Sequence, residues 1–235
     1  KEIQRNWIGR SVGAQVFFDV AGTERKLEIF TTRPDTIYGV TFMVIAPEHP
    51  IIEANREKIR NIDALDAYKE ECAKKTEFER TQLVKDKTGL RIEGLNGVNP
   101  LTGKEVPIFI SDYVMMGYGT GAIMAVPAHD QRDWEFAKKF GVDIIEVIKG
   151  GDISKEAYTG DGEMVNSDFL NGCTNKKESI EKVLVEIEKR GCGKAGVQYK
   201  MKDWAFNRQR YWGEPIPLVH CPHCGVVPVP YEELP

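Results

Sequence analysis

The sequence predicts an α+β fold, with a β-barrel core formed by short strands and helices at its periphery. Strand-like segments dominate the middle of the 235-residue chain, and Gly, Pro and Asn separate them. Regular crossover helices do not alternate with these strands, as they would in a doubly wound parallel sheet. A closed or partly closed barrel is therefore the architecture that we expect.

The first strands follow from alternating or continuous apolar residues. Two strands are joined by a turn at Gly22 and Thr23, and the third strand is mostly apolar, so we expect it to be buried on both faces. A polar section with apolar residues at helical spacing then predicts a peripheral helical arm. The predicted ranges are 12–20, 26–32 and 39–47 for the strands and 48–84 for the arm.

The second half of the chain mixes both periodicities. Gly141 and Gly191 follow the two clearest amphipathic helices, as C-terminal glycines commonly do. The predicted elements are short strands over 89–116 and 121–128, a helix over 130–140, a strand over 142–148, a loop over 150–175, a helix over 176–190 and a strand from 194 to 201.

Composition limits the classes of function. The net charge of −4 excludes a whole-chain electrostatic nucleic-acid binder, so any RNA contact must be local. No apolar run approaches the roughly 20 residues of a membrane helix, and no signal peptide opens the chain. Five cysteines without a regular framework favour a reducing cytoplasm. We expect a monomeric piece of a longer polypeptide, without membrane contact.

The segment "TTRPDT", Thr31 to Thr36, places three hydroxyls, an arginine and an acid at the end of a strand. One interpretation is an ordinary polar turn with proline at its second position. The other is that the strand brings these groups to a pocket. The residues alone leave both open.

A second polar cluster lies in "YGTGAIMAVPAHDQRDWEFAKKF", residues 118–140. Asp130 is a suitable helix N-cap, and Asp133 three positions later forms a variant of the capping box. Asp133 shares one helical face with Phe136, Ala137 and Phe140, which directs the acid inward, where it could bind a cation. The alternative is that Asp133 only caps the helix and faces solvent.

Four stretches together resemble leucyl-tRNA synthetase of the bacterial type. Three are similar to its inserted editing domain, connective peptide 1, and the fourth to the return of the chain into the synthetic core. The stretches are "TTRPDTIYGVTFMVIAPEH", "NPLTGKEVPIFISDYV", "GYGTGAIMAVPAHDQRDWEFA" and "DWAFNRQRYWGEPIP". The resemblance implies a barrel of the class I synthetase editing type. It divides the chain into connecting strands (1–12), the editing domain (13–200) and a return segment (201–235).

The implied activity is hydrolysis of the ester that joins a wrong amino acid, such as norvaline, isoleucine or methionine, to the acceptor end of leucine tRNA. A hydrophobic pocket separates near-isosteres by only about 1–3 kcal/mol per methylene, so a second site that spares the leucyl ester is needed. The full-length family ligates leucine to tRNA with ATP and magnesium. The HIGH and KMSKS signatures of that reaction are absent from these residues, so no synthetic activity is expected.

The resemblance also implies roles. Asp133 would bind the substrate ammonium, and Thr36 would be the steric gate against leucine. Thr31 and Thr32 would hold the attacking water or the ribose hydroxyls, and Arg33 would contact a phosphate or the ester oxygen. Tyr118 would contact the terminal nucleotide, and Met124 and Val126 would form the wall of the side-chain pocket. His129 would orient the water or the ester, and Asp130 would bind substrate or cap the helix. A satisfied structural histidine is the alternative for His129.

Two other functions remain open: a module that binds the acceptor end without turnover, and an editing domain of the isoleucyl or valyl type. No cofactor and no metal is expected for editing. Cys221 and Cys224 form a single CxxC, half of a usual structural zinc site, so we do not expect zinc there. The expected partners are the acceptor end of leucine tRNA and the rest of the synthetase.

Overall fold

The computed structural model describes residues 1–75, 79–80, 88–116, 119–199, 210–211, 214–215 and 217–234. These residues divide into two compact units, Lys1–Lys200 and Met201–Pro235. Tyr118, one of the predicted site residues, lies outside the described residues, as does most of the predicted return stretch 203–217.

The first unit combines strands with short helices. In chain order its elements are α1 (Glu2–Ile8), β1 (Arg10–Val20), β2 (Lys26–Thr31), β3 (Phe42–Ile45), α2 (Pro50–Ala54), α3 (Ile62–Ala73), β4 (Leu90–Val98), β5 (Glu105–Ile110), β6 (Ala122–Ala125), α4 (Gln131–Phe140), β7 (Ile148–Lys149), β8 (Glu163–Met164), α5 (Lys176–Lys189) and β9 (Gly193–Tyr199). Short 3₁₀ helices occupy Pro34–Gly39, Arg56–Lys58 and Asp168–Leu170.

Seven strands form one mixed sheet in the order β2, β1, β4, β5, β3, β6, with β9 also paired to β1. All neighbours are antiparallel except β3 and β5. This mixed sheet with flanking helices confirms the α+β class. Among the described residues no ladder joins β2 to β6, the two ends of the strand order. The predicted barrel is therefore not closed by hydrogen bonds in this part of the chain.

The short strand β3 lies between two cores. Met43 and Ile45 enter the larger core cluster, whereas Phe42 and Val44 belong to a second cluster beneath α4. Every residue of β3 is buried. The prediction of a third strand buried on both faces is thus confirmed. The position of β3 brings α4 onto the sheet beside the turn after β2, residues 31–39.

Two local predictions are wrong. The connecting segment 1–12 was expected to be extended, but Glu2–Ile8 is a helix and the strand begins at Arg10. The strand expected over 142–148 is reduced to the two-residue β7. The backbone amides of Val147 and Ile148 donate to the ring of His129, so they are not available to a longer strand ladder. The helical arm is confirmed where it is described, as α2 and α3.

The second unit contains the short strands β10 (Arg210–Tyr211) and β11 (Glu214–Pro215) and a hairpin of β12 (Leu218–Cys221) and β13 (Gly225–Pro228). A 3₁₀ turn follows at Tyr231–Glu233. In the portion of the chain that the structure covers, no helix is long and apolar enough to cross a membrane.

Candidate active site

One small cavity, of about 160 Å³, brings the two polar clusters of the sequence together. All nine described members of the predicted site line it, and the tenth, Tyr118, is not described. The lining residues are Thr31, Thr32, Arg33, Thr36, Met124, Val126, His129, Asp130 and Asp133. The strand-end segment "TTRPDT" therefore does face a pocket, and both clusters contribute to it.

Three larger depressions exist elsewhere on the described part of the first unit. One, of about 840 Å³, lies at the start of α5, a second, of about 630 Å³, lies beside Phe109 and Phe140, and a third, of about 380 Å³, is lined by residues 53–58. None of the three is lined by a predicted site residue. Convergence of a carboxylate, hydroxyls and a guanidinium therefore identifies the small cavity better than volume does.

The turn after β2 is held by hydrogen bonds between near neighbours. The Arg33 amide donates to Thr31 Oγ1 at 3.0 Å, and the Thr36 hydroxyl donates to the Arg33 carbonyl at 2.9 Å. Thr36 is only 3% exposed. Because its hydroxyl is tied to the backbone and its side chain is β-branched, its methyl group has one fixed position.

Arg33 is oriented by the acid two residues later. Its Nε donates to Asp35 Oδ1 at 3.0 Å, and its Nη2 donates to Asp35 Oδ2 at 2.9 Å. Asp35 is buried, whereas a quarter of the Arg33 side chain is exposed. These bonds do not use Nη1, so the guanidinium is fixed in orientation and retains donors that a ligand can use.

On the other side of the cavity, Asp130 caps α4 by accepting the amides of Arg132 and Asp133 at 2.8 and 3.2 Å. Asp133 Oδ2 accepts the Val126 amide at 2.9 Å. The N-cap is confirmed, but the capping-box variant is wrong, because Asp133 binds Val126 rather than returning to the amide of Asp130. Asp133 is 7% exposed, which confirms that it points inward.

An aromatic cluster docks α4 in this orientation. Phe136 stacks on Phe42 with ring centroids 5.0 Å apart and meets Phe109 edge-on at 5.2 Å. Phe140 stacks on Phe136 at 4.2 Å. These rings bury the face of α4 that carries Asp133, so the aromatic packing and the position of the carboxylate depend on each other.

His129 is bonded within the fold through both ring nitrogens. Nε2 accepts the amides of Val147 and Ile148, each at 3.0 Å, so Nδ1 carries the proton and donates to the Tyr158 carbonyl at 2.8 Å. This geometry does not fit the predicted contact with water or ester. It fits the alternative, a satisfied histidine that holds segment 147–158 against α4.

The pKa of His129 is lowered, mainly by burial and further by Arg33. Its hydrogen bond to Tyr158 and the carboxylates of Glu146 and Asp35 act in the opposite direction. The neutral ring that the hydrogen bonds require is therefore favoured near neutral pH.

Sequence reasoning missed what supports the cavity from outside. The partners of His129 come from residues 147–158, and the sequence gives no sign that this segment reaches α4. Gly13, which contacts the turn after β2, could have been noticed, because an isolated glycine in a strand pattern often marks a close backbone approach.

No group of three or more His, Cys, Asp or Glu side chains is placed to hold a metal in the described part of the chain. Cys221 and Cys224 lie at the end of β12 and in the turn that follows. Backbone donation from His223 and Cys224 lowers the pKa of the Cys221 thiol. Two sulfurs do not complete a structural zinc site, and the expectation of no metal there stays a prediction.

Comparison with known proteins finds a family model, two relatives and a solved structure that are similar to this chain. Residues 5–188 match the family model described as leucyl-tRNA synthetase, editing domain. Two relatives are leucine–tRNA ligases, one from Alkaliphilus oremlandii (strain OhILAs), 60% identical over 99% of this chain, and one from Elusimicrobium minutum (strain Pei191), 57% identical over 99%. This chain spans only 29% and 28% of their lengths.

A solved structure has the same fold. It is the ternary complex of Agrobacterium radiobacter K84 agnB2 LeuRS with tRNA and LeuAMS, with a TM-score of 0.74 and 35% identity. The match covers 100% of this chain and 26% of that one.

Proposed function

This chain belongs to the leucyl-tRNA synthetase editing-domain family, and we propose that its cavity hydrolyses the ester of mischarged leucine tRNA. Norvaline, isoleucine and methionine are the wrong amino acids that we propose as substrates. The supporting observation is that a buried carboxylate and the hydroxyl-rich turn after β2 line one cavity.

Asp133 would bind the α-ammonium that every aminoacyl ester carries. Its Oδ2 already accepts one backbone amide, and a carboxylate has further lone pairs for a charge-assisted bond. Fixing the ammonium at this point orients the ester carbonyl toward the turn after β2, which reduces the entropy that the reaction must lose.

The chemical step needs a positioned water and donors for the developing oxyanion. Water adds to the ester carbonyl carbon, the bond to the ribose oxygen breaks, and a proton passes to that oxygen, which leaves free amino acid and intact tRNA. Thr31 Oγ1 accepts the Arg33 amide, so its own proton remains available to donate. Thr32 and the unused Nη1 of Arg33 are the other groups assigned to the water, ribose hydroxyls or ester oxygen.

Discrimination would come from Thr36, whose fixed methyl excludes the branch of a leucyl side chain while linear norvaline fits. Met124 and Val126 would complete the wall of this pocket. His129, with both nitrogens occupied, is a positioning residue in this proposal, and Asp130 is the helix cap. We assign no cofactor to this reaction.

The surroundings of the domain belong to the same proposal. We infer that β2 and β6, the ends of the strand order, complete a partly closed barrel around the cavity. The partners would be the acceptor end of leucine tRNA, with Tyr118 at its terminal nucleotide, and the rest of the synthetase, which would supply ATP-dependent ligation. We propose a monomer that works in the cytoplasm.

Deacylation tests this proposal most simply. A polypeptide that contains these residues in their native context is incubated with norvalyl-tRNA and with leucyl-tRNA, and released amino acid is measured. We expect rapid loss of norvaline only, abolished by Asp133→Ala and retained by Glu135→Ala on the exposed side of α4. Acceptor-end binding without turnover by the unmodified protein would contradict the hydrolase and support the binding module.

A further inference from the structure

Gly13 of β1 lies directly beneath the turn that carries the proposed catalytic threonines. A Cβ atom at Gly13 would be 2.0 Å from the Thr31 carbonyl oxygen, 2.8 Å from the Thr31 carbonyl carbon and 3.0 Å from Thr32 Cα. All three are backbone atoms, so no side-chain rotation could relieve the overlap.

The ladder between β1 and β2 explains this approach. Ala14 pairs with Thr31, the last residue of β2, and the next residues turn away into the 3₁₀ segment. In doing so, the backbone of Thr31 and Thr32 crosses the space that a side chain at Gly13 would fill. The φ angle of Gly13 is not among the positive ones, so the position needs glycine for space and not for backbone conformation.

Movement at Thr31 would not remain there. The Thr31 hydroxyl accepts the Arg33 amide, and the Arg33 carbonyl accepts both the amide and the hydroxyl of Thr36. The backbone resting on Gly13 is thus connected by consecutive hydrogen bonds to the guanidinium-bearing residue and to the proposed steric gate.

We propose that Gly13 is a positioning residue for the deacylase, an inference that rests on the proposed function. By lacking a side chain, it sets where the Thr31 and Thr32 backbone lies relative to Asp133 across the cavity. Displacing reacting groups by about 1 Å can lower a rate by about 10²-fold, so this placement matters for turnover.

The chain supplies two matched controls. Gly196 of β9 pairs with Gly13, but a Cβ there would only come within 3.3 Å of the Gln15 side chain. Gly193 of β9 has a backbone overlap of the same kind, with the Gln15 carbonyl oxygen at 2.5 Å. The residues it would displace, Gln15, Ile187 and Val16, do not line the cavity.

The experiment measures kcat and KM for norvalyl-tRNA deacylation, together with thermal unfolding, for Gly13→Ala, Gly193→Ala and Gly196→Ala in the intact polypeptide. We expect Gly13→Ala to lower kcat by about 10²-fold with little change in KM. Gly193→Ala should lose stability but keep kcat close to that of the unmodified protein, and Gly196→Ala should change neither.

A kcat for Gly13→Ala no lower than that of Gly193→Ala would overturn the positioning role. So would a Gly13→Ala protein that cannot fold when Gly193→Ala does, since Gly13 would then serve the stability of the sheet. The assay of the unmodified protein separates the two claims, because absence of turnover there refutes the proposed function itself.

Discussion

The turn after β2 and the start of α4 face each other across the cavity, but they are held in different ways. The turn is closed mainly by hydrogen bonds that span two or three residues, among them the Arg33–Asp35 pair and the Thr36 hydroxyl, together with one distant bond from the Asn99 side chain to the Ile37 carbonyl. The start of α4 has its local Asp130 cap, but it and the residues just before it also depend on distant partners, including Tyr158, which is 29 residues from His129. Trp134 likewise donates to the Ile153 carbonyl, 19 residues away.

We therefore expect substitutions in the two regions to have different consequences. In the turn, a substitution should change chemistry or selectivity and lower stability less than a substitution at α4 does. At α4, a substitution should change stability and activity together, because the helix is positioned by the core and by segment 147–158.

Phe136→Ala should have the largest effect on stability. It removes the ring between Phe42, Phe109 and Phe140, and we expect a loss of about 3–5 kcal/mol of unfolding free energy. Deacylation should fall with it, because Asp133 loses its support. Denaturant unfolding measures the loss of stability, and norvalyl-tRNA turnover measures the loss of activity. The control is Lys138→Ala, at an exposed position of α4. Full deacylase activity in the destabilised protein would refute the coupling.

Asp35→Asn should have an intermediate effect. It removes the charge partner that orients Arg33, and a hydrogen bond to a charged group contributes about 1.5–3 kcal/mol. Asp19→Asn is the control, because its pair with Lys26 is exposed and should contribute about 0–1 kcal/mol. Denaturant unfolding compares the free energy of unfolding of the two variants. Equal losses would show that burial of the Arg33–Asp35 pair does not increase its contribution to stability.

Thr36→Ala should alter selectivity more than stability. Removing the methyl opens space for a branched side chain, and we expect leucyl-tRNA deacylation to rise by about 10- to 200-fold. Thr36→Val keeps the branch and should still spare leucine. Continued sparing of leucyl-tRNA by Thr36→Ala would remove Thr36 from the role of gate.

Acid pH should have the smallest effect. The pKa of His129 is below its usual value of 6.5 in the folded protein, so its contribution to stability is complete above pH 6.5. That contribution is lost as the pH falls from 6.5 toward the folded-state pKa, since a proton on Nε2 would oppose the amides of Val147 and Ile148. The free energy of unfolding, measured as a function of pH, should depend less on pH in His129→Gln than in the unmodified protein. The same slope against pH in both proteins would show that His129 does not contribute to this pH dependence.

The sequence predicts the local features of this molecule well. The N-cap at Asp130 and the inward face of α4 depend on spacings of three and four residues, and both are confirmed. The third strand, buried on both faces, follows from its continuous apolar composition. The family resemblance predicted that the nine residues lining the cavity belong to one site. Spacing alone left two interpretations open for the turn after β2 and two for Asp133.

Features that depend on tertiary partners could not be predicted. The apolar alternation of residues 142–148 is typical of a strand, but the side chain of His129 takes two of its amides. Asp133 accepts the Val126 amide instead of forming the capping box, because the chain before α4 folds back on itself. Closure of the barrel likewise depends on whether β2 and β6, the ends of the strand order, pair with each other, which alternation does not specify.

Binding of the substrate ammonium by Asp133 can be tested by removing the positive nitrogen instead of a protein group. Deacylation of norvalyl-tRNA is compared with that of its α-hydroxy analogue, each relative to spontaneous hydrolysis, in the unmodified protein and in Asp133→Asn. If Asp133 binds the ammonium, the exchange should slow the unmodified protein by about 10- to 100-fold and leave Asp133→Asn almost unaffected. An equal slowing in both proteins would show that Asp133 does not bind the ammonium.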